Sequence, residues 1–129
     1  MKVPTFIVED NATIRDNLIS ALEELTSLEV VGTADGEDEA CKWLKRHPEK
    51  WCIVIADLFL KQGSGLGVLE NMRERAPGQK LIVLSNYATH DMRRRCTELG
   101  ADAVFDKSNE LDALVDFLTV VPESRASRA

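Results

Sequence analysis

The sequence lacks the features that membrane-spanning and secreted proteins need. No apolar run approaches the roughly 20 residues required to cross a membrane, and the short apolar run near the start ends in Glu9 and Asp10, which argues against a signal peptide. We therefore expect a cytoplasmic protein that makes no membrane contact.

Cysteine and positive charge are also scarce. Cys41, Cys52 and Cys96 are far apart, odd in number and without zinc-site spacing, so we expect reduced thiols in small apolar spaces. Acidic residues outnumber basic ones by 22 to 16, and a net charge of −6 argues against nucleic-acid binding by this domain alone.

What the sequence does contain is a regular alternation of strand and helix patterns over 129 residues, enough for one domain. Strands are predicted at about 5–8, 29–33, 52–56, 80–84 and 103–105, and helices at about 12–25, 37–46, 66–75, 89–99 and 110–118. The apolar run 52–56 suggests a strand buried on both faces. The pattern predicts an α/β domain over 1–121, with a parallel sheet between helices. The polar residues 122–129 are interpreted as a tail or a truncated linker.

Polar side chains follow four of the five predicted strands. Glu9 and Asp10 end the first strand, Asp57 the third, Ser85 the fourth, and Lys107 follows the fifth. In an open parallel sheet, sites lie at the carboxyl ends of the strands. A strand order of 2-1-3-4-5 would bring all these groups together.

Such a cluster predicts phosphoryl chemistry. Carboxylates placed close together repel one another unless a cation or protons join them. Oxygen ligands in a shallow cleft suit Mg²⁺ (or Mn²⁺), which keeps several waters. A carboxylate beside the metal can attack phosphorus, with Lys107 neutralising charge and Ser85 donating a hydrogen bond. The glycines of Gly63–Gly67 lack the pattern of a P-loop and predict a turn before a helix.

Taken together, the motifs resemble the receiver domain of two-component response regulators over about Val3–Val120. They are the acidic pair Glu9-Asp10, Asp57 in Asp-Leu-Phe-Leu-Lys-Gln-Gly-Ser-Gly-Leu, Ser85 in Leu-Ser-Asn, and Lys107 in Gly-Ala-Asp-Ala-Val-Phe-Asp-Lys-Ser. The resemblance implies a flavodoxin-like, doubly wound, five-stranded parallel sheet of order 2-1-3-4-5 with five helices.

The resemblance also implies roles for individual residues. Asp57 would be the phospho-acceptor and also a metal ligand. Asp10 would be the direct metal ligand of the acidic pair, Glu9 a ligand through water, and Phe59 a ligand through its main-chain carbonyl. Ser85 would turn toward the phosphoryl group, Phe105 would change rotamer with it, and Lys107 would pair with the acceptor and then the phosphate.

The implied function is that of a phosphorelay switch that catalyses only its own phosphorylation and dephosphorylation. Its upstream partner would be a sensor histidine kinase or a phosphotransfer protein that docks on the first helix. Its output face would be the last two helices and the fifth strand, where Arg93–Arg95 could pair with Asp112 or Asp116 of a second copy in a homodimer. The domain could also be the N-terminal part of a DNA-binding transcriptional regulator.

The sequence departs from the usual pattern of the family in three places. The acidic pair is Glu9-Asp10 rather than Asp-Asp, a common variant that leaves the direct ligand intact. Lys61 replaces a common proline, which would loosen its loop, and Asn86 replaces a small residue, which could alter access of the phosphoryl donor. Phe59 and Tyr87 flank the path of attacking water, and we expect them to slow loss of the phosphate.

Two other classes of protein remain open at this point. A pseudo-receiver that acts only as a protein interaction module would have a degenerate site, whereas Asp10, Asp57, Ser85 and Lys107 are all present. A phosphatase of the haloacid-dehalogenase type needs a second aspartate two residues after the nucleophile. Here that residue is Phe59, and the chain leaves no room for a cap.

Overall fold

The computed structural model describes residues 2–126, with side-chain environments described for residues 2–119. Five strands alternate with five helices, in the order β1 (Val3–Val8), α1 (Ala12–Leu25), β2 (Leu28–Ala34), α2 (Glu37–Arg46), β3 (Ile53–Ala56), α3 (Gly65–Asn71), β4 (Lys80–Ser85), α4 (His90–Glu98), β5 (Ala103–Asp106) and α5 (Leu111–Ala126). In this part of the chain no helix is long and apolar enough to cross a membrane.

The strands form one sheet in the order β2-β1-β3-β4-β5, and every neighbouring pair is parallel. This confirms the predicted strand order and the flavodoxin-like fold. Strand β3 lies at the centre, and its four residues are buried because both faces of the sheet are covered.

Alternate residues of the central strands supply two hydrophobic cores, one on each face of the sheet. On one face, Val54 and Val83 pack with residues of α2, α3 and α4. On the other, Ile55 and Ile82 pack with Leu18 of α1 and residues of α5. Because side chains alternate along a strand, one short apolar run serves both cores.

Side-chain caps explain why three helices begin where they do. Asn11, Ser64 and Thr89 accept hydrogen bonds from the backbone N–H groups of Ile14, Gly67 and Met92. Each cap satisfies an N–H group that has no partner within its helix. The predicted bounds of α1 and α2 are confirmed.

Two helices differ in length from the prediction. Helix α3 ends at Asn71 rather than Arg75, since the guanidinium of Arg75 binds the carbonyls of Met72 and Arg73 and the carboxylate of Asp102. Helix α5 continues to Ala126 instead of ending at Leu118. Part of the segment interpreted as a tail is therefore helical, and residues 127–129 lie outside the described residues. A linker at 122–129 stays a prediction.

Candidate phosphorylation site

Three strand ends converge at the carboxyl edge of the sheet. Strands β1 and β3 are neighbours, and the N–H group of Asp57 donates to the carbonyl of Val8 over 3.0 Å. Glu9 directly follows β1, Asp57 follows β3, and Lys107 follows β5. The parallel topology thus places two carboxylates and an ammonium group in contact, as the sequence predicted.

Lys107 is the centre of this cluster. Its Nζ lies 2.7 Å from Oε1 of Glu9 and 2.9 Å from Oδ2 of Asp57. The side chains are well shielded, with 13% of Lys107, 4% of Glu9 and 13% of Asp57 exposed. Burial by itself lowers the pKa of Lys107, but hydrogen bonds to Asp57 and Glu9 outweigh it, so the net pKa is raised. The ammonium group therefore stays charged at neutral pH.

Asp10 is bound by the loop that follows β3. Its Oδ2 accepts a hydrogen bond of 2.7 Å from the backbone N–H of Lys61. Both oxygens of Glu9, by contrast, are engaged, one by Lys107 and the other by the N–H of Asn11 at 3.2 Å. The two members of the acidic pair thus have different surroundings.

The loop from Leu58 to Ser64 is tightly bonded rather than loose. Phe59 forms an isolated antiparallel bridge with Ser64, and the N–H of Gly65 donates to the carbonyl of Leu58 over 3.0 Å. A Cβ atom on Gly65 would lie 2.2 Å from the carbonyl oxygen of Asp57, so only glycine allows this approach. The loosening expected from Lys61 in place of proline stays a prediction.

Ser85 ends β4 fully buried, and its Oγ accepts a hydrogen bond of 3.0 Å from the N–H of Tyr87. Asn86 is exposed, and its side chain has a long 3.5 Å contact with Oγ of Ser108, beside Lys107.

The rings of Phe59 and Tyr87 are 55% and 60% exposed and pack edge to face, with ring centroids 4.9 Å apart. The two aromatic residues that the sequence predicts beside Asp57 therefore contact each other.

Phe105 lies in β5 and points into the core. It is 9% exposed and packs edge to face on Phe117 of α5, with ring centroids 5.8 Å apart. Its neighbour Leu84 and the buried Ser85 belong to the adjacent strand, in register with Phe105 and Asp106. The predicted switch residues Ser85 and Phe105 therefore lie on neighbouring strands.

The residues at this edge fit a divalent cation only in part. Within residues 2–126 no group of three or more His, Cys, Asp or Glu side chains is arranged to hold a metal ion. The ammonium of Lys107 lies between two of the three predicted acids. The remaining donors, the carboxylates of Asp10 and Asp57, suit Mg²⁺, which often uses only one or two carboxylates and keeps its waters. The set fits Mg²⁺ better than a cation that needs a complete cage of protein ligands.

The face formed by α4, β5 and α5, which the resemblance predicts to be the output face, contains an ion pair that the sequence does not reveal. The guanidinium of Arg93 in α4 binds the carboxylate of Glu110, which directly precedes α5, as well as the carbonyls of Ala88 and Val104. Arg93 is therefore satisfied within the chain. Of the basic triplet, Arg94 and Arg95 are exposed, and Arg94 lies 3.8 Å from the carboxylate of Glu98 in the same helix. Asp112 lies in the groove between α1 and α5. Arg93 and Glu110 are 17 positions apart in the chain, so no local sequence pattern indicates their contact.

The fold and this site define the class of protein. The sequence profile of the response regulator receiver domain matches residues 5–119. The chain belongs to this family, as the resemblance of its motifs predicted.

Individual relatives agree with this assignment. The transcriptional regulatory protein YvfU of Bacillus subtilis is 30% identical over 112 residues, which are 86% of this chain and 54% of that protein. A response regulator from Burkholderia pseudomallei, solved with a phosphorylated aspartic acid and a calcium ion, is 25% identical with a TM-score of 0.75, covering 98% of this chain and 73% of that one.

A third similarity concerns the fold alone. The CheX–CheY–BeF3–Mg²⁺ complex from Borrelia burgdorferi has a TM-score of 0.77 at 20% identity, covering 89% of this chain and 88% of that one. The chain spans about half the length of the first curated relatives that it matches.

Proposed function

We propose that this domain is a phosphorelay switch that accepts a phosphoryl group on Asp57 in the presence of Mg²⁺. The observation that carries the proposal is the position of Lys107, whose ammonium group binds Asp57 and Glu9 at once. A fixed cation beside the nucleophilic carboxylate can neutralise the charge of an incoming phosphoryl group.

The proposed step is a transfer between two nucleophiles. A carboxylate oxygen of Asp57 attacks phosphorus, the phosphorus–nitrogen bond of a phosphohistidine breaks, and the electron pair returns to the imidazole. Mg²⁺ supplies charge neutralisation on the phosphoryl oxygens when it is bound. Asp10, Asp57 and the main-chain carbonyl of Phe59 would hold it, with Glu9 acting through a water.

The donor, a sensor histidine kinase or phosphotransfer protein, would dock on α1. An apolar groove of about 590 Å³ lies between α1 and α5, and Lys107 and Asn86 form part of its wall. Ile14 and Leu25 of α1 and Leu111 of α5 are exposed beside it. A partner bound there would lie directly beside the phosphorylation site. A cytoplasmic location, which the sequence predicts, is part of the same proposal.

Phosphorylation would act on the output face through Ser85 and Phe105. Ser85 would exchange its hydrogen bond with the N–H of Tyr87 for one to the phosphoryl group. Phe105 would then leave its contact with Phe117, and the populations of two states of β5 and α4 would shift. In a longer protein a DNA-binding domain could read this change, because relatives such as YvfU are transcriptional regulators.

Intact mass after incubation with Mg²⁺ and acetyl phosphate tests the acceptor. We expect the wild type to gain one phosphoryl group and Asp57→Ala to gain none. Asp35→Ala, which changes an exposed aspartate on the same side of the sheet, serves as the control and should be phosphorylated like the wild type.

The other outcomes separate the alternatives. No gain of mass together with no Mg²⁺ binding would favour the pseudo-receiver that acts only through protein contacts. No gain with Mg²⁺ bound would indicate a site that only a cognate kinase can load, and Asn86→Ala should then restore phosphorylation by acetyl phosphate.

A further inference from the structure

The loop after β3 donates a backbone hydrogen bond to one member of the acidic pair. The N–H group of Lys61 lies 2.7 Å from Oδ2 of Asp10, although 51 positions separate the two residues. A bond of this length from an amide to a carboxylate is strong for its type. A proline at position 61 has no N–H group and could not form it.

The loop is fastened on its other side to the start of α2, which keeps the Lys61 amide in place. The side chain of Gln62 accepts from the N–H of Asp38 over 2.9 Å and donates to its carboxylate over 3.0 Å. The N–H of Glu37 donates to the carbonyl of Gln62, and the N–H of Ser64 donates to the Glu37 carboxylate, each over 2.9 Å. The amide of Lys61 is therefore presented by a turn that is hydrogen-bonded to the start of α2.

The two carboxylate oxygens of Asp10 differ in their hydrogen bonding. Oδ2 is occupied by Lys61, whereas Oδ1 has no hydrogen bond to any residue in the described part of the chain. Glu9 differs, since Lys107 and Asn11 occupy both of its oxygens. Of the acidic pair, only Asp10 thus presents a carboxylate oxygen that is oriented and still available.

We propose that the backbone amide of Lys61 is a positioning group for the divalent cation, because it holds the carboxylate of Asp10 through Oδ2 and leaves Oδ1 available to the metal. This inference rests on the proposed function, because it concerns the same site. Hydrogen bonds to a ligating carboxylate fix its orientation, and their loss typically lowers metal affinity about 10- to 100-fold. In this chain a main-chain donor supplies that bond.

Mn²⁺ binding, followed by electron paramagnetic resonance without any phosphoryl donor, tests the role of the amide. Lys61→Pro removes the N–H group, and Lys61→Ala is the matched control because it removes the same ammonium group but keeps the amide. We expect Lys61→Pro to bind Mn²⁺ about tenfold more weakly than Lys61→Ala, which should stay close to the wild type. Circular dichroism and the thermal midpoint establish that each variant is folded.

Equal affinity of the two variants would overturn the proposal. Tighter binding by Lys61→Pro would overturn it as well, since the amide would then compete with the metal.

If the proline variant does not fold, Gln62→Ala provides the second test, because it frees the turn from Asp38 and leaves the Lys61 amide intact. It should weaken Mn²⁺ binding in the same direction, and an unchanged affinity would count against a positioning role. Failure of the wild type to bind Mn²⁺ would refute the proposed function itself.

Discussion

At the scale of single residues, the site combines groups that differ in how firmly they are held. Lys107, Glu9 and Asp57 are joined by short hydrogen bonds and are largely shielded from water. Phe59 and Tyr87 are more than half exposed and contact each other at the rim. In the proposed function, the shielded groups would supply the chemistry of phosphoryl transfer and the aromatic pair would control the access of water to it.

The aromatic pair predicts a slow loss of the phosphoryl group. Phe59→Asn and Tyr87→Glu each replace a ring with a smaller polar side chain that admits and orients water. We expect a shorter half-life of phospho-Asp57 in each variant, with the larger effect in the double variant because the rings pack on each other. Loss of radiolabel from purified phosphoprotein measures it.

A matched substitution far from the rim controls for general destabilisation. Trp43→Phe changes an aromatic residue that packs on Phe6 in another part of the fold and should leave the half-life unchanged. Half-lives equal to the wild type in both rim variants would refute the role of the pair.

At the scale of secondary-structure elements, the close approach of α3 to β3 fixes the position of Asp57. A Cβ atom at Gly65 would lie 2.2 Å from the carbonyl oxygen of Asp57, whereas nothing lies within 4 Å of one at Gly78. We expect Gly65→Ala to lower the free energy of unfolding by about 1–3 kcal/mol, as overpacking does. Gly78→Ala, the control, should stay near the wild type. Urea denaturation measures both, and equal midpoints would contradict the prediction.

The ion pair between α4 and the start of α5 predicts a dependence of stability on pH. The hydrogen bond from Arg93, followed by the one from the N–H of Asp106, holds the pKa of Glu110 below its ordinary value of 4.5. A lowered pKa in the folded state stabilises the fold above the unfolded pKa, and this contribution is lost as pH falls through the folded value. The stability advantage of the wild type over Glu110→Gln should therefore be constant near neutral pH and shrink below about pH 4.5.

The midpoint of urea unfolding at a series of pH values measures this difference. Asp16→Asn, which changes an exposed acid of α1, controls for the general effect of removing a negative charge. If the difference in urea midpoint between wild type and Glu110→Gln does not change with pH, the negative charge of Glu110 does not contribute to stability.

Some elements could be predicted from the sequence and others could not, for identifiable reasons. The bounds of helix α2 can be predicted because Gly36 before it and His47-Pro48 after it are local signals. The end of α3 cannot, because Arg75 leaves the helical path to bind Asp102, 27 positions away. The Lys61 amide was missed because a backbone donor has no side-chain signature.

At the scale of the whole molecule, topology accounts for most of the site. Parallel strands in the order 2-1-3-4-5 bring Glu9, Asp57 and Lys107 together from positions up to 98 apart in the chain. The sequence predicted these three because residues at the carboxyl ends of strands share one edge. It also predicted three acids around a metal, whereas the structure places the ammonium of Lys107 between two of them.

The output face predicts association of two copies on phosphorylation. Arg93 is satisfied within the chain, but Arg94 and Arg95 of α4 are exposed, and so is Asp116 of α5. Opposite charges on adjacent helices can pair across a symmetric interface, since each copy offers both signs. We expect sedimentation velocity with beryllofluoride and Mg²⁺ to show a doubling of mass, and the double variant Arg94→Glu, Arg95→Glu to prevent it.

The double variant Lys42→Glu, Arg46→Glu makes the same change of charge on exposed residues of α2 and should still associate. A loss of association in both double variants would attribute the effect to net charge, which is already −6, rather than to the face. An unchanged mass of the wild type with the phosphoryl mimic would exclude this dimer. The switch would then have to act through a different protein bound at the same helices.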